Sequence, residues 1–316
     1  MIPVVAGSNP VGHPKPTKWR APALRQDALA PALEALIRAA LVQVERNAPH
    51  ACGSSDTEYL HQLRVGLRRL RAALRAFRRL LPENELLLVR KCYRRVRAPL
   101  GRARDWDVFM AWLEAAGAPD DLVRRARLMR EAGSEEARRA IASPVFTRLI
   151  ALSRALVPRN GKMAGVARRA LMDARRATLR QAQRMDWSRE ADLHKLRIRV
   201  RRERYICEAL ARNLRAYIGC LKTLQDTLGE LNDVAVARRL LRRLGCQDFD
   251  SLLRARREAL LSALRANWAA YLAARTPPRR ATAKAGADGR ARVPRGRFPP
   301  RTPAARPAAG GAAPGR

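Results

Sequence analysis

Two histidines in the chain each head an arginine-rich segment of the same design. The segment HQLRVGLRRLR begins at His61, and HKLRIRVRRER begins at His194, 133 residues later. The shared pattern is H-x-L-R-x-x-[LV]-R-R-x-R. Arginine offers a planar fork of donors that suits phosphate-type oxygens and keeps its charge near neutral pH. A neutral histidine donates one hydrogen bond and a protonated one adds charge. The chemistry these residue types support is anion binding. Phosphate hydrolysis or transfer would call for a metal cluster, a nucleophile or a P-loop. The chain has no GxxxxGK[ST] and no dense carboxylate cluster, so no enzymatic activity and no cofactor are expected. His61 and His194 stand alone among guanidinium groups, a setting that disfavours a metal cation.

A helix must position these groups. At about 100° per residue, His61, Arg64, Arg68, Arg71 and Arg75 fall within an arc of roughly 80°. Leu63, Leu67, Leu70, Leu74 and Phe77 lie on the other side, ready to face a core. The second segment repeats the stripe with His194, Arg197, Arg201 and Arg204, backed by Leu196, Val200 and Cys207. Arg69 and Arg202 flank the two stripes. Like charges at i, i+3 and i+4 cost an isolated helix roughly 0.2–0.5 kcal/mol per pair. No acid relieves them between His61 and Leu81, so a bound anion is expected to offset the repulsion. Glu203 stands where the first copy has Leu70, which calls either for a buried arginine partner or for a shallower core.

A second element follows each stripe in the same order. LGRARDWD begins at Leu100 and LGELND at Leu228, 128 residues apart, and Arg94 matches Lys222 at the same offset. Asp105, Asp107 and Asp233 are read as structural acids at helix starts after glycine, satisfying free N–H groups and orienting arginines of the stripe. Two elements repeated in order predict an all-α fold built of duplicated helical bundles, with halves over about 24–142 and 144–274. Breaks are expected at 47–56, Pro82, Pro99–Gly101, 117–121, Ser143–Pro144 and 158–161. They divide the body into about ten or eleven helices of roughly 12–27 residues.

Composition agrees with helices. Ala, Leu and Arg dominate, aromatics make up 5%, and runs rich in Val, Ile and Thr are scarce. The net charge is +37, and only seven of the 65 basic residues are lysine. Such a chain attracts polyanions. Residues 1–22 read as a flexible lead. Residues 276–316, with eight prolines, six glycines and ten basic residues against Asp288, read as a disordered basic tail. Five cysteines without a CxxC exclude a disulfide framework or zinc ribbon and read mostly as buried thiols. With no signal-like start and no apolar run of about 20 residues, the chain is expected in the cytoplasm.

The H-x-x-R-x-x-x-R-R-x-R helix followed by LGRARDWD, and LHKLRIRVRR followed by LQDTLGELND, resemble the CHAD family, conserved histidine α-helical domains. The resemblance covers about residues 24–274. It implies two four-helix bundles around a pseudo-two-fold axis, with a basic groove between or across them. It also implies binding of inorganic polyphosphate and association with polyphosphate granules in bacteria, some members being found on polyester storage granules. Carried over, the binding positions are His61, Arg64, Arg68, Arg69, Arg71, Arg94, His194, Arg197, Arg201, Arg202, Arg204 and Lys222. Glu203, and Ala235 in place of the acid at Asp107, depart from the pattern and imply weaker binding by the second half. Many relatives carry an N-terminal CYTH triphosphatase domain. Residues 1–22 leave no room for one, so a stand-alone domain without that activity is expected. The competing readings are nonspecific nucleic-acid binding, for which the stripe lacks interleaved aromatics, and a metal-chelating or polyester-granule scaffold.

Overall fold

The computed structural model describes residues 15–20, 22, 29–159, 163–210 and 214–274. The expected tail and most of the expected lead lie outside them. Among the described residues there are nine α-helices, one 3-10 turn and no strand. The helices are α1 (Leu29–Gly53), α2 (Thr57–Ala76), α3 (Glu83–Ala115), α4 (Asp120–Ala142), α5 (Pro144–Arg154), α6 (Met163–Gln183), α7 (Glu190–Leu210), α8 (Arg215–Arg243) and α9 (Asp250–Ala273). The 3-10 turn, Arg78–Leu80, follows α2.

The helix carrying the first stripe is set by local signals. Asp56 caps α2, its side chain accepting from the Glu58 N–H at 2.8 Å. Leu63, Leu67, Leu70 and Leu74 are buried on the face the sequence assigns to the core. Gly66 lets α1 approach, because a Cβ there would meet Val44 Cγ2 at 2.8 Å. Ser143 caps α5 with Pro144 at its first position, as expected of that break.

Other breaks close up. Pro49 lies inside α1, and Pro99 inside α3, which runs 33 residues without interruption. Interior proline costs about 3 kcal/mol. Burial on both sides of Pro99 outweighs that. Val89, Tyr93, Val96 and Leu100 fill one core, while Trp106, Phe109, Met110 and Leu113 fill the other. The fold therefore has fewer and longer helices than the punctuation implies. It also moves Asp105, Asp107 and Asp233 from helix starts into the interiors of α3 and α8, so none of them caps a free helix end.

The two cores do not divide where the repeat divides. α1, α2, the first part of α3 and α5 enclose one. The second is built from α7, α8 and α9 with the ends of α3 and α6 and the start of α4. At about 50 Å, α3 is long enough to serve both. α3 and α8 end alike, on Gly117 (φ 63°) and Gly245 (φ 69°), 128 residues apart like the LG dipeptides. In each, the next N–H closes back on the helix, Ala118 to the Leu113 carbonyl and Cys246 to that of Leu241. Between the cores, α2 packs on α7 and α3 on α8.

Part of the expected flexible lead is held in place. Thr17 exchanges hydrogen bonds with the Asn47 side chain at 3.1 and 2.9 Å. Trp19 lies 4.6 Å from the Arg69 guanidinium. All five cysteines are free thiols; Cys207 and Cys246 are buried, whereas Cys52, Cys92 and Cys220 are only half-buried. Among the described residues no helix is long and apolar enough to cross a membrane.

Candidate polyanion-binding seam

Because α2 packs on α7, the two stripes meet. Arg64 lies in the field of Arg197, and Arg68 in that of both Arg197 and Arg201. None of these four has an ion-pair partner among the described residues. Arg64 Nη1 and Arg68 Nε are buried without an acceptor. Burial, reinforced by Arg68, Arg104 and Arg197, pushes Arg64 down to about 10. Burial together with Arg68 and Arg197 pushes Arg201 to about 9. Guanidinium still keeps its proton at neutral pH. The shifts measure how unfavourable the free cluster is.

The histidines sit differently. Half-buried His61 is pushed down to about 3 by burial and by Arg104, Arg68 and Arg64, so it is a neutral donor at the head of the seam. His194 is exposed, its Nδ1 2.9 Å from Asn232 Oδ1 on α8.

The remaining arginines of the motif divide. Arg69 and Arg204 both grip Glu208, at 2.7 and 2.5 Å, and both lie over the Tyr205 ring. Arg204 also donates to Gln225. Among the described residues Arg202 has no ion pair, and its Nε is buried without a partner. Arg71 is exposed over Tyr93. Arg94 and Lys222 are exposed on α3 and α8, and Lys222 acts on Asp226, as does Arg204.

The acids serve as struts. Asp105 pairs with Arg239 of α8 at 3.3 Å and lies near Arg64 and Arg197. Asp233 lies beside Arg197 and bonds Asn232. Burial raises both carboxyls against the pull of the arginines. Asp107 is buried and holds Arg130 of α4 at 2.8 Å, away from the seam.

The repeated motif omits several groups of the seam. Arg104 was visible in LGRARD, and Arg75 on the arc. Arg199 and Tyr205 carried no signal. Tyr205 is buried, yet the Arg68 and Arg201 guanidiniums hold its hydroxyl below the ordinary phenol value, Arg68 bonding it directly. The faces of Tyr93 and Tyr205 are occupied by arginines, so neither ring is open to a stacking base.

Glu203 does not lie in the seam. It is 1% exposed, so the core is not shallow there. Tyr217 and Tyr271 donate their hydroxyls to it, the latter at 3.1 Å to both oxygens. Arg175 acts at one remove, donating to the Tyr217 oxygen at 3.0 Å. Among the described residues no group of three or more His, Cys, Asp or Glu is arranged to hold a metal ion.

The sequence profile of the CHAD domain matches residues 35–242. The chain belongs to the CHAD domain family. The crystal structure of the CHAD domain from the plant Ricinus communis is 30% identical, with a TM-score of 0.68, over 84% of this chain and 99% of that one. PptA from Streptomyces chartreusis shares the fold, at 16% identity and a TM-score of 0.61, over 78% of this chain and 98% of that one. No curated protein matches in sequence. In this CHAD domain the repeated histidine-headed pattern marks the two helices that form the seam.

Proposed function

We propose that this CHAD domain binds inorganic polyphosphate along the α2–α7 seam and does not turn it over. One observation carries the reading. Arg64, Arg68, Arg197 and Arg201 converge from two helices with no direct ion pair among the described residues, and buried donors on Arg64 and Arg68 lack acceptors. A buried unpaired donor costs about 1–3 kcal/mol. A chain of phosphates supplies charge and acceptor oxygens at short, regular intervals and relieves both deficits. The family resemblance names the same polymer. Guanidinium groups bind and orient phosphate but are not bases or nucleophiles at neutral pH, which fits binding without hydrolysis. Polyphosphate granules of a bacterial cytoplasm are the setting this implies.

The charge of +37 also favours nonspecific nucleic-acid binding. Titration with polyphosphate and with duplex DNA, at matched phosphate and two salt concentrations, separates the two. The expected result is a preference for polyphosphate of about tenfold or more near physiological salt, lost when Arg64, Arg68, Arg197 and Arg201 are changed to Ala. Equal binding of both polymers, indifferent to those changes, would refute the reading. Phosphate release from polyphosphate that disappears in the same variant would refute the absence of turnover.

A further inference from the structure

Contacts across the seam are reciprocal. Arg69 on α2 meets Glu208 on α7 at 2.7 Å. The residues 133 positions away from this pair are Arg202 on α7 and Arg75 on α2, and these too are neighbours. The chemistry on the two sides is opposite. On one side a glutamate neutralises both Arg69 and Arg204. On the other, Arg75 stands where the glutamate would be, and Arg202 has no ion pair among the described residues; the Nε atoms of Arg69 and Arg202 are both buried without an acceptor, so the glutamate alone makes the difference.

The neighbouring residues extend the contrast. Position 66, near Arg69, is a glycine pressed against Val44 of α1. Its counterpart is Arg199, which joins Arg75 and Arg202. Arg75 is further surrounded by Arg71, by Arg78 of the 3-10 turn and by Arg90 of α3. An acid that acts on Arg202, Asp173 of α6, is engaged by Arg176 at 2.7 Å. On the Glu208 side, Trp19 lies over Arg69, whose guanidinium also lies 4.7 Å from the Tyr205 ring.

We infer that a polyanion in the seam leaves it by one exit only, over Arg75, Arg78, Arg199 and Arg202, the opposite exit being closed by Glu208 and Trp19. The inference rests on the seam's binding a phosphate chain, as proposed above. It gives the domain a subsite that only a chain long enough to pass beyond Arg68 and Arg201 can reach. Arg64 to Arg75 spans about 17 Å along α2. Longer linear phosphate chains gain contacts there, and short ones do not.

The test uses the full chain and a length series of polyphosphate, from a few phosphates to more than about a hundred. Three variants are compared: the seam variant with Arg64, Arg68, Arg197 and Arg201 changed to Ala; an exit variant, Arg75→Gln, Arg199→Gln and Arg202→Gln; and Lys18→Ala, an exposed cation next to Trp19 on the closed side. The exit variant removes mutually repelling charges, so it folds, which a thermal melt checks. It is expected to bind short chains within about twofold of the parent and long chains about tenfold more weakly, with a salt slope shallower by about two. Lys18→Ala is expected to match the parent at every length. Exit and Lys18 variants that weaken long chains equally would overturn the single exit, as would an exit variant that equals the parent or weakens all lengths alike. If the seam variant itself binds every length normally, the underlying polyphosphate site fails, and the exit with it.

Discussion

Arg64 of α2 lies in the field of Arg197 of α7 across the seam, and the Asp105 carboxylate of α3 is close enough to act on both. Asp105 is also the partner of Arg239 at 3.3 Å, so one half-buried acid serves three cations. Removing it should separate stability from binding. Asp105→Asn is expected to tighten polyphosphate binding at low salt without lowering the melting temperature of the free protein, because burial outweighs the arginines and holds this carboxyl above its ordinary value. Melting curves with and without polymer check this. A variant that binds more weakly would mean that the acid positions the arginines more than it offsets them.

Arg201 offers the converse. Burial, Arg68 and Arg197 together push its guanidinium down to about 9, and no acid pairs with it among the described residues. Arg201→Met keeps most of the volume and removes the charge. The free protein should become more stable, by about 1 kcal/mol, as polyphosphate affinity falls severalfold. Chemical denaturation beside a binding titration measures both quantities. Loss of stability together with loss of binding would show Arg201 to be a structural residue.

The stripes were legible because helical periodicity places Arg64, Arg68, Arg197 and Arg201 opposite leucines that do become core. What the sequence leaves unstated is which surfaces meet. Arg199 lies off the stripe, and only the crossing of α2 and α7 brings it to Arg75. Arg69 and Arg204 belong to the motif, yet Glu208, a residue outside it, takes both. Pro99 and Gly101 read as a break because the local cost of proline is visible in sequence, whereas the two cores that outweigh it are built from residues far apart along the chain. That misreading also put Asp105 and Asp107 at helix starts, as Gly229, which lies inside α8, did for Asp233.

His61 predicts a pH dependence. Its imidazole is held at about 3, against 6.5 for the free side chain. Between these values the unfolded chain binds a proton that the folded chain does not. The contribution of His61 is therefore fully present above pH 6.5 and is lost as the pH falls toward 3. His61→Gln should flatten stability over that window, as seen by denaturation at several pH values. Bound polyphosphate supplies negative charge, raises the imidazole and should protect the parent against acid more than the variant. Equal protection would place the polymer away from His61.

Two kinds of glycine should respond with opposite signs. A Cβ at Gly101 or Gly229 would meet nothing within 4 Å, and both lie within helices. Alanine at either is expected to stabilise by about 0.5–1 kcal/mol. Gly66 faces Val44 Cγ2 at 2.8 Å and the Ala40 carbonyl at 3.1 Å, so Gly66→Ala should push α1 from α2 and destabilise by about 1–3 kcal/mol. Thermal melts of the three single variants decide it. A stabilising Gly66→Ala would mean that the helices separate at no cost.

Glu203 should affect the core without affecting the seam. Tyr217 and Tyr271 both donate to its carboxylate, and Thr178 and Arg175 stand nearby. Burial nevertheless raises its carboxyl above the ordinary glutamate value of 4.5. A folded state that holds the proton more tightly than the unfolded chain loses stability as pH rises from about 4.5 through the raised value, the opposite sign to His61. Glu203→Gln keeps an acceptor and cannot ionise, so it should abolish that loss and leave the protein near the parent at low pH. Glu203→Leu restores the residue type found at Leu70 but removes the shared acceptor of two buried tyrosine hydroxyls, a penalty of about 1–3 kcal/mol for a hydroxyl left without a partner. Polyphosphate affinity should stay within about twofold of the parent in both variants, because the carboxylate faces the second core and leaves the free guanidiniums untouched. A marked loss of binding in the folded Gln variant would instead show that this buried carboxylate helps to hold the α7 stripe in place.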